Sequence, residues 1–403
     1  MKTYKTLIIW GMTLLVFSRC SEERLSPLND DNHVPPPVSN VAVENIPGGA
    51  TISYNLPAGG KSLYVLAEWE QHGKVMTAQA SYYNNSLLVE GLGEEREYQV
   101  KLYTVGRNLN RSEPVTVQIH PLTPPIWSIL ESIDAHEDFG GLRFDFVNTN
   151  EAEVRIEVFT VDDLGDWVLA ETFYTSRREG RLFVRGFDAE ERLFGFVIKD
   201  RWENQTDMLT KTVTPLFERE FDKSLFNTLS PTLPGDMGVY SGSALSNIWS
   251  GNYSGNNTIT TNAFFRSADA LNLPAHFTFD LGVEGKLGRY IWWQRGAYIS
   301  PYSFIYAQGD IRRWEVWGRA DRPTSGGWDG WTKLMDCEIF KPSGLPVGSV
   351  AAEDYELAQA GHEFTFPVDA PSVRYIRINV LSNWGGVQYV HLAEVSFFGA
   401  PGQ

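Results

Sequence analysis

The chain has 403 residues, of which 42% are hydrophobic and 13% aromatic, enough for about two to four domains with buried cores. Its 36 glycines and 21 prolines favour short strands and tight turns over long helices. The formal net charge of −16 excludes electrostatic attraction to the phosphates of nucleic acids or to anionic lipids.

The N-terminus has the pattern of a secretory signal. Lys2 and Lys5 precede an apolar run that is too short to span a membrane as a stable anchor. Cys20 and then Ser-Glu-Glu follow, although Arg19 departs from the usual small residue. The stretch resembles the lipobox and acidic export tag of surface-exposed lipoproteins in Gram-negative bacteria with glycan-uptake loci. The resemblance implies a signal peptide over residues 1–19, a lipid on Cys20 and an outer-membrane location facing the exterior.

The alternative for this segment is an ordinary signal peptide in which Cys20 is incidental. If Cys20 does carry the lipid, Cys337 has no cysteine partner and is expected to be a small buried residue. Residues 20–37 are polar and end in Val-Pro-Pro-Pro, which predicts an extended tether.

From residue 38 the sequence changes to short alternating runs bounded by Gly, Pro or Asn. Strands at this spacing are typical of a β-sandwich, here over residues 38–122. The segment GLGEEREYQVKLYTV resembles the fibronectin type III pattern. That resemblance implies that the Tyr98 hydroxyl hydrogen-bonds the backbone at a corner of the sheets.

The same pattern then recurs, which predicts a second sandwich over residues 123–216. Gly91 aligns with Gly186, and Pro121 with Pro215. Repeated sandwiches of this kind are usually spacers or interaction modules. Trp202, in the segment KDRWENQ, leaves open a ligand site on the second copy.

Residues 217–403 begin with a polar bridge and contain eight of the 13 tryptophans. Short strands without a long amphipathic helix predict an all-β jelly-roll. The ordered motifs FTFDLG, RRWEVWGRADRP, GGWDGWTKL, VRYIRINVLSNWGG and YVHLAEVSFFG resemble the discoidin domain, also called coagulation factor type C. The expected fold is therefore all-β: two fibronectin type III-like β-sandwiches followed by a discoidin-like β jelly-roll.

The first candidate site is the segment WWQRGAY. Side chains alternate along a strand, so Trp292 and Trp293 point to opposite faces. Trp292 stands where the discoidin family usually places an inward aliphatic residue, and we expect it in the core. Trp293, Arg295 and Tyr298 are then candidates to bind sugar through an aromatic face and polar donors. The alternative is that Trp293 packs in a second core.

The second candidate site is the loop SNWGGVQY. Trp384 precedes two glycines, and the family carries binding aromatics in loops of this position, with Asn383 as a polar neighbour. The alternative is a Trp384 that folds back as a lid on the barrel. Trp317 and Trp331 are both expected in the core.

The discoidin resemblance also implies one structural Ca²⁺. Family members bind it with backbone carbonyls and an Asp of an early loop and with a Glu of the last strand. Glu394 matches that Glu, while Ser250 replaces the Asp and Asn252 is the candidate substitute. Neutral amides weaken a site for a hard cation. The alternative for Glu394 is an ion pair with Arg374 or Arg377.

The sequence lacks the HExxH, GxSxG and P-loop patterns, and its seven histidines are scattered. We expect a non-catalytic surface lipoprotein that binds a glycan and assists an outer-membrane transporter and its partner lipoprotein. Contact with the membrane is expected only through the lipid, and no nucleic-acid partner is expected. The alternative is a structural or protein-docking subunit of the same outer-membrane complex.

Overall fold

The computed structural model describes residues 33–59, 62–253, 263–298 and 304–402. The chain divides into two compact units between Pro125 and Ile126. Within the described residues there are 24 strands and two short α-helices, so the expected all-β fold is confirmed. Cys20, the predicted signal peptide and most of the predicted tether lie outside the described residues.

The first unit is a sandwich of two antiparallel sheets. One sheet has the strand order β1-β2-β5 and the other β4-β3-β6-β7. Alternate residues of β6, Tyr98, Val100 and Leu102, are buried between the sheets, as the period of two requires. The strands are β1 Ser39–Ile46, β2 Gly49–Asn55, β3 Ser62–Gln71, β4 Lys74–Ser81, β5 Ser86–Val89, β6 Tyr98–Gly106 and β7 Val115–Ile119.

The second unit opens with another sandwich, here called the second sandwich, which has the same topology. Its sheets run β12-β9-β8 and β11-β10-β13-β14. The elements are α1 Pro125–Glu131, β8 Asp134–Asp138, β9 Gly141–Val147, β10 Val154–Val161, β11 Trp167–Thr175, β12 Glu179–Arg185, β13 Arg192–Asp200 and β14 Leu209–Val213.

The repeat seen in the sequence reappears in the backbone hydrogen bonds. The Gly48 amide donates to the Leu122 carbonyl at 3.0 Å, and the Gly140 amide donates to the Leu216 carbonyl at 2.8 Å. Tyr98 is 5% exposed, and its hydroxyl hydrogen-bonds the backbone of Glu94, as the fibronectin-type pattern implies. The two copies therefore keep their closing contacts while their surfaces diverge.

The remaining strands build a C-terminal domain around one eight-stranded sheet. Its main path is β15-β24-β18-β22-β19-β20, with β16 and β21 paired to β18. The strands are β15 Arg219–Glu220, β16 Asn227–Thr228, β17 Phe265–Arg266, β18 Ala275–Trp293, β19 Ile311–Arg319, β20 Thr332–Glu338, β21 His362–Thr365, β22 Val373–Asn383, β23 His391–Leu392 and β24 Glu394–Pro401. Helix α2 spans Ala352–Ala360, and short 3-10 helices span Lys223–Leu225 and Leu245–Trp249.

Strand β18 organises this domain because it is 19 residues long and changes partner halfway. Its first half pairs with β22, and its second half pairs with β24 and β21. The core lies between the strands that pair with the two halves of β18. Within it, Trp292 stacks on Trp314 with ring centroids 4.3 Å apart. Trp292 is 1% exposed and Trp314 is fully buried, so the inward position expected for Trp292 is the observed one.

Two other tryptophans of the domain, Trp331 and Trp317, lie at a small cluster outside the main core. Trp331 is buried as expected, but it belongs to a small satellite cluster with Leu229, Leu233 and Tyr375. Trp317 is only half-buried and packs on that cluster. The expectation that Trp317 fills the main core is therefore corrected: Trp314, on the other face of β19, fills it.

Ion pairs join the C-terminal domain to the second sandwich. Arg185 of β12 lies 3.2 Å from a carboxylate oxygen of Glu363 and donates to the Phe139 carbonyl at 3.0 Å. Arg289 of β18 contacts both Glu363 and Glu218 at 3.0 Å. Burial raises the pKa of Glu218, against the lowering effect of Arg289. These half-buried contacts fix the jelly-roll against its neighbour.

Candidate functional site

Strand register brings the residues singled out in the sequence to one end of the C-terminal domain. Trp293 at the end of β18 lies opposite Glu394 at the start of β24. Ile311 at the start of β19 lies opposite Asn383 at the end of β22. Contacts between the two pairs bring them together: the Ala393 amide donates to the Trp293 carbonyl, and the Trp384 amide donates to the carbonyl of Asp310, whose carboxylate contacts His391. We call this end, where Trp293, Asn383 and Glu394 lie, the loop end.

Trp293 is covered rather than offered to solvent. It is 8% exposed, and its indole N–H donates to the Gln359 carbonyl at 3.2 Å. The Tyr253 ring meets it edge-on at 4.6 Å. Gly361, which has a φ of +88°, lies so close that a Cβ there would sit 2.7 Å from the Trp293 ring. The packing alternative weighed for Trp293 is the geometry observed.

Arg295 is also buried, at 6% exposure. Its guanidinium lies between the rings of Phe264 and Phe304, at 3.9 and 4.0 Å from their centroids. Asp310 lies nearby, and its carboxylate is 2.8 Å from the imidazole of His391. Burial raises the pKa of Asp310 and lowers the pKa values of Arg295 and His391. Arg295 thus packs beneath the loops in the structure, and its binding of a sugar stays a prediction.

The side-chain amide of Asn383 hydrogen-bonds to residues of its own loop. The side-chain nitrogen donates to the carbonyls of Val387 at 2.7 Å and Tyr389 at 3.0 Å, and the side-chain oxygen accepts from the Val387 amide. These bonds close the Gly-Gly loop that carries Trp384. Asn383 therefore shapes this loop in the structure, and its contact with a ligand stays a prediction.

Trp384 and Tyr298 keep accessible ring surface. Trp384 is half-buried: the Tyr306 ring meets it edge-on at 5.4 Å, and the Arg312 guanidinium lies 4.8 Å from its ring centroid. Tyr298 is 42% exposed, and its hydroxyl donates to the Gln359 carbonyl at 2.9 Å. Of the five residues proposed from the sequence for sugar binding, these two present aromatic surface to solvent.

Sequence reasoning missed a third aromatic feature near this end. The Arg266 guanidinium lies between the rings of Tyr240 and Tyr389, at 3.9 and 4.3 Å from their centroids. Asp269 holds the same guanidinium at 2.6 Å. Tyr240 is 37% exposed. The three stacked residues come from separate segments, so no local sequence motif predicts that they lie together.

Among the described residues, the groups around Glu394 do not fit Ca²⁺. Its buried carboxylate accepts from the Lys223 ammonium at 2.5 Å and from the Gly251 amide at 3.2 Å. The backbone amide of Asn252 also faces it. Calcium needs several oxygen ligands, whereas a lysine ammonium and N–H donors converge here. The described residues also contain no cluster of three His, Cys, Asp or Glu side chains fit to hold a metal.

This environment decides the ionic partner of Glu394. The sequence offered Arg374 or Arg377, but Arg374 pairs with Asp280 at 2.8 Å and Arg377 donates to the Gly327 carbonyl at 2.7 Å. Burial raises the pKa of Glu394, and Lys223 opposes that effect. The ion pair is thus the alternative observed, with Lys223 as the partner.

A buried histidine beside the loop end predicts a pH dependence of stability. His362 is 6% exposed, and burial lowers its pKa to about 4. The folded state therefore binds fewer protons than the unfolded state between about pH 6.5 and pH 4. Above about pH 6.5, His362 is neutral in both states and does not lower the free energy of unfolding. As the pH falls from about 6.5 toward 4, the unfolded state takes up the proton and the free energy of unfolding decreases.

Relative to wild type, His362→Gln should therefore lose less stability on acidification from about pH 7 to about pH 4.5. The expected difference is about 2–3 kcal/mol in the free energy of unfolding. Urea denaturation of both proteins at the two pH values measures it. Equal losses in the two proteins would contradict the buried neutral histidine.

Cys337 offers no nucleophile. It is free and buried, and burial raises the pKa of its thiol to about 12, so almost no thiolate forms near neutral pH.

No helix among the described residues has the length and apolar character to cross a membrane.

Comparison with known proteins identifies three domain families of unknown function along the chain. DUF4959 matches residues 35–121, DUF5126 matches residues 122–224 and DUF5000 matches residues 249–399. No curated protein matches the chain.

Several solved structures are similar. A two-domain fibronectin type III segment of chicken tenascin is 14% identical, with 44% of this chain and 99% of that chain covered and a TM-score of 0.23. A CBM32 domain of a GH31 protein bound to GalNAc is 12% identical, with 43% and 94% covered and a TM-score of 0.27.

A third solved structure, SusE-like protein BT2857, is 36% identical, with 69% of this chain and 100% of that chain covered and a TM-score of 0.45. Identity at this level along the entire length of a relative places the chain in one family with it. The chain belongs to the SusE-like proteins.

Proposed function

We propose that this protein is a non-catalytic carbohydrate-binding lipoprotein of the cell surface and that it binds glycan through the loop end of its C-terminal domain. The observation that carries the proposal is the aromatic surface at that end. Tyr298, Trp384 and the Tyr240–Arg266–Tyr389 stack are held there by a rigid β frame. Membership of the SusE-like family supports the same role.

The chemistry of a sugar explains the choice of residues. A pyranose ring has an apolar face of C–H groups, which an aromatic ring covers, and a rim of hydroxyls, which polar groups bind. Trp384 and Tyr298 supply the aromatic faces. Trp293 and Asn383 hold these loops in place because their polar atoms bond to backbone carbonyls, and Arg295 does so by stacking on Phe264.

The alternative is docking of a partner subunit by the same aromatic surface. A protein interface is usually a broad apolar patch. Here the aromatic groups alternate with the charged side chains Arg312 and Arg266, which favours a hydroxyl-rich ligand. A transporter of the outer membrane and its partner lipoprotein are proposed to receive the glycan.

Binding is tested with single variants of the full chain in affinity gels and by calorimetry against a panel of polysaccharides. Trp384→Ala and Tyr298→Ala should each weaken binding roughly tenfold, because one aromatic contact contributes about 1–2 kcal/mol. Trp167→Ala and Tyr83→Ala, which remove residues 40% and 80% exposed on the two sandwiches, serve as matched controls. Unchanged affinity in both test variants would place the ligand elsewhere.

The lipid anchor is proposed at Cys20, which lies outside the described residues. One diacylglycerol on a cysteine supplies two acyl chains, and two chains give stable membrane attachment. Cys20→Ala should therefore move the protein from the membrane fraction to the soluble fraction after cell lysis. A Cys20→Ala protein that still sediments with membranes would contradict the anchor.

A further inference from the structure

The second sandwich carries a groove at one end of its four-stranded sheet. Its cavity measures about 860 Å³, a size typical of ligand sites. Strand register places Arg155 opposite both Tyr174 of β11 and Lys199 of β13, so these side chains form a row across three strands. Phe173 and Ile198 pack in the core, so their neighbours Tyr174 and Lys199 face away from it.

One aromatic side chain lines this groove, and a second lies in the turn beside it. Tyr174 lines it and is 78% exposed, a degree of exposure that core packing does not explain. Trp202 lies in the turn after β13, and the Arg201 guanidinium sits 4.3 Å from its ring centroid. Asp200 fixes that turn by accepting from the amides of Trp202 and Asn204 at 2.9 and 3.0 Å.

Charges in the groove are balanced. Glu157 accepts contacts of 2.9 Å from both Arg155 and Lys199, and Arg201 lies 3.5 Å from Glu153. Among the described lining residues, three cations face three carboxylates: Arg155, Lys199 and Arg201 against Glu153, Asp200 and Glu203. The lining is therefore neutral although the chain as a whole has a net charge of −16. A neutral lining favours neither an anionic nor a cationic ligand.

We propose that this groove is a second carbohydrate site, separate from the loop end, and that it takes a neutral glycan chain. Tyr174 supplies an aromatic face for a sugar ring. Arg155 and Lys199 supply donors for hydroxyl groups, and Glu153 and Glu203 supply acceptors. A uronic acid chain would bring its carboxylates next to Glu153 and the other acidic lining residues without a surplus of cations to pair them.

The test uses the full chain in native gels that contain a neutral glucan, mannan, galactan or xylan, with a polygalacturonate gel as the acidic arm. At least one neutral gel should retard the wild-type protein, and Tyr174→Ala should weaken that retardation by roughly tenfold in affinity. Tyr174→Ala combined with Trp384→Ala should lose more than either single change. Tyr83→Ala removes a tyrosine of nearly equal exposure from the first sandwich and should behave as wild type.

Three results would overturn the groove as a neutral glycan site. One is equal retardation of Tyr174→Ala and wild type in every neutral gel. Another is the absence of retardation of the wild type in all four neutral gels. The third is a Tyr174-dependent retardation in polygalacturonate alone. In the first of these cases, a loss of binding in Trp384→Ala would leave the loop end as the only one of the two proposed sites that binds glycan.

Discussion

Replacing Trp292 by alanine is expected to lower the free energy of unfolding of the C-terminal domain by about 3–5 kcal/mol. The ring is 1% exposed and stacks on Trp314 at 4.3 Å, so its removal leaves a large cavity in the middle of the core. The surrounding strands cannot close that cavity, because β18 is held by β24 on one side and by β21 on the other.

Thermal and urea denaturation measure this loss. Trp384→Ala is the matched control: its ring is half-buried at the edge of the same core, and its melting temperature should fall by only a few degrees. Glycan affinity should show the reverse order, with the larger loss in Trp384→Ala. A Trp384→Ala protein that unfolds would show that Trp384 is a packing residue.

Removing the positive charge of Lys223 is expected to destabilise the domain by a comparable amount. Glu394 is fully buried, and Lys223→Met would leave its carboxylate with backbone amides as its remaining donors. Removal of one partner of a buried ion pair costs about 3–5 kcal/mol, because the other charge stays buried. The double variant Lys223→Met with Glu394→Gln should recover much of this loss, since the buried charge is then gone.

A chelator tests whether the Lys223 ammonium takes the place of a metal beside Glu394. We expect a chelator or added Ca²⁺ to leave the melting temperature of the wild type unchanged, because the Lys223 ammonium and the Gly251 amide already satisfy the carboxylate. A melting temperature that falls with chelator would show a bound cation and would contradict this arrangement.

The sequence by itself determined the all-β class and the repeat of the two sandwiches. The reason is local. Alternation of apolar and polar residues assigns each side chain to one face of a strand, and glycine or proline marks where each strand ends. The pattern GATISYN in β2 and its counterpart GLRFDFV in β9 illustrate this. The alternate residues Ala50, Ile52 and Tyr54 of β2 are buried, and so are Leu142, Phe144 and Phe146 of β9. The inward direction of Trp292 was predicted from the resemblance to the discoidin family, because alternation places Trp292 and Trp293 on opposite faces without saying which face is buried.

Tertiary structure alone decided which residues of the loop end stay exposed. Alternation placed Trp293 on the second face of β18, but it does not say what covers that face. Gln359 of α2, 66 residues further along the chain, covers Trp293, and Lys223 reaches Glu394 across 171 residues. Contacts between such distant segments depend on how the strands are ordered in the sheet, and no local pattern in the sequence records that order.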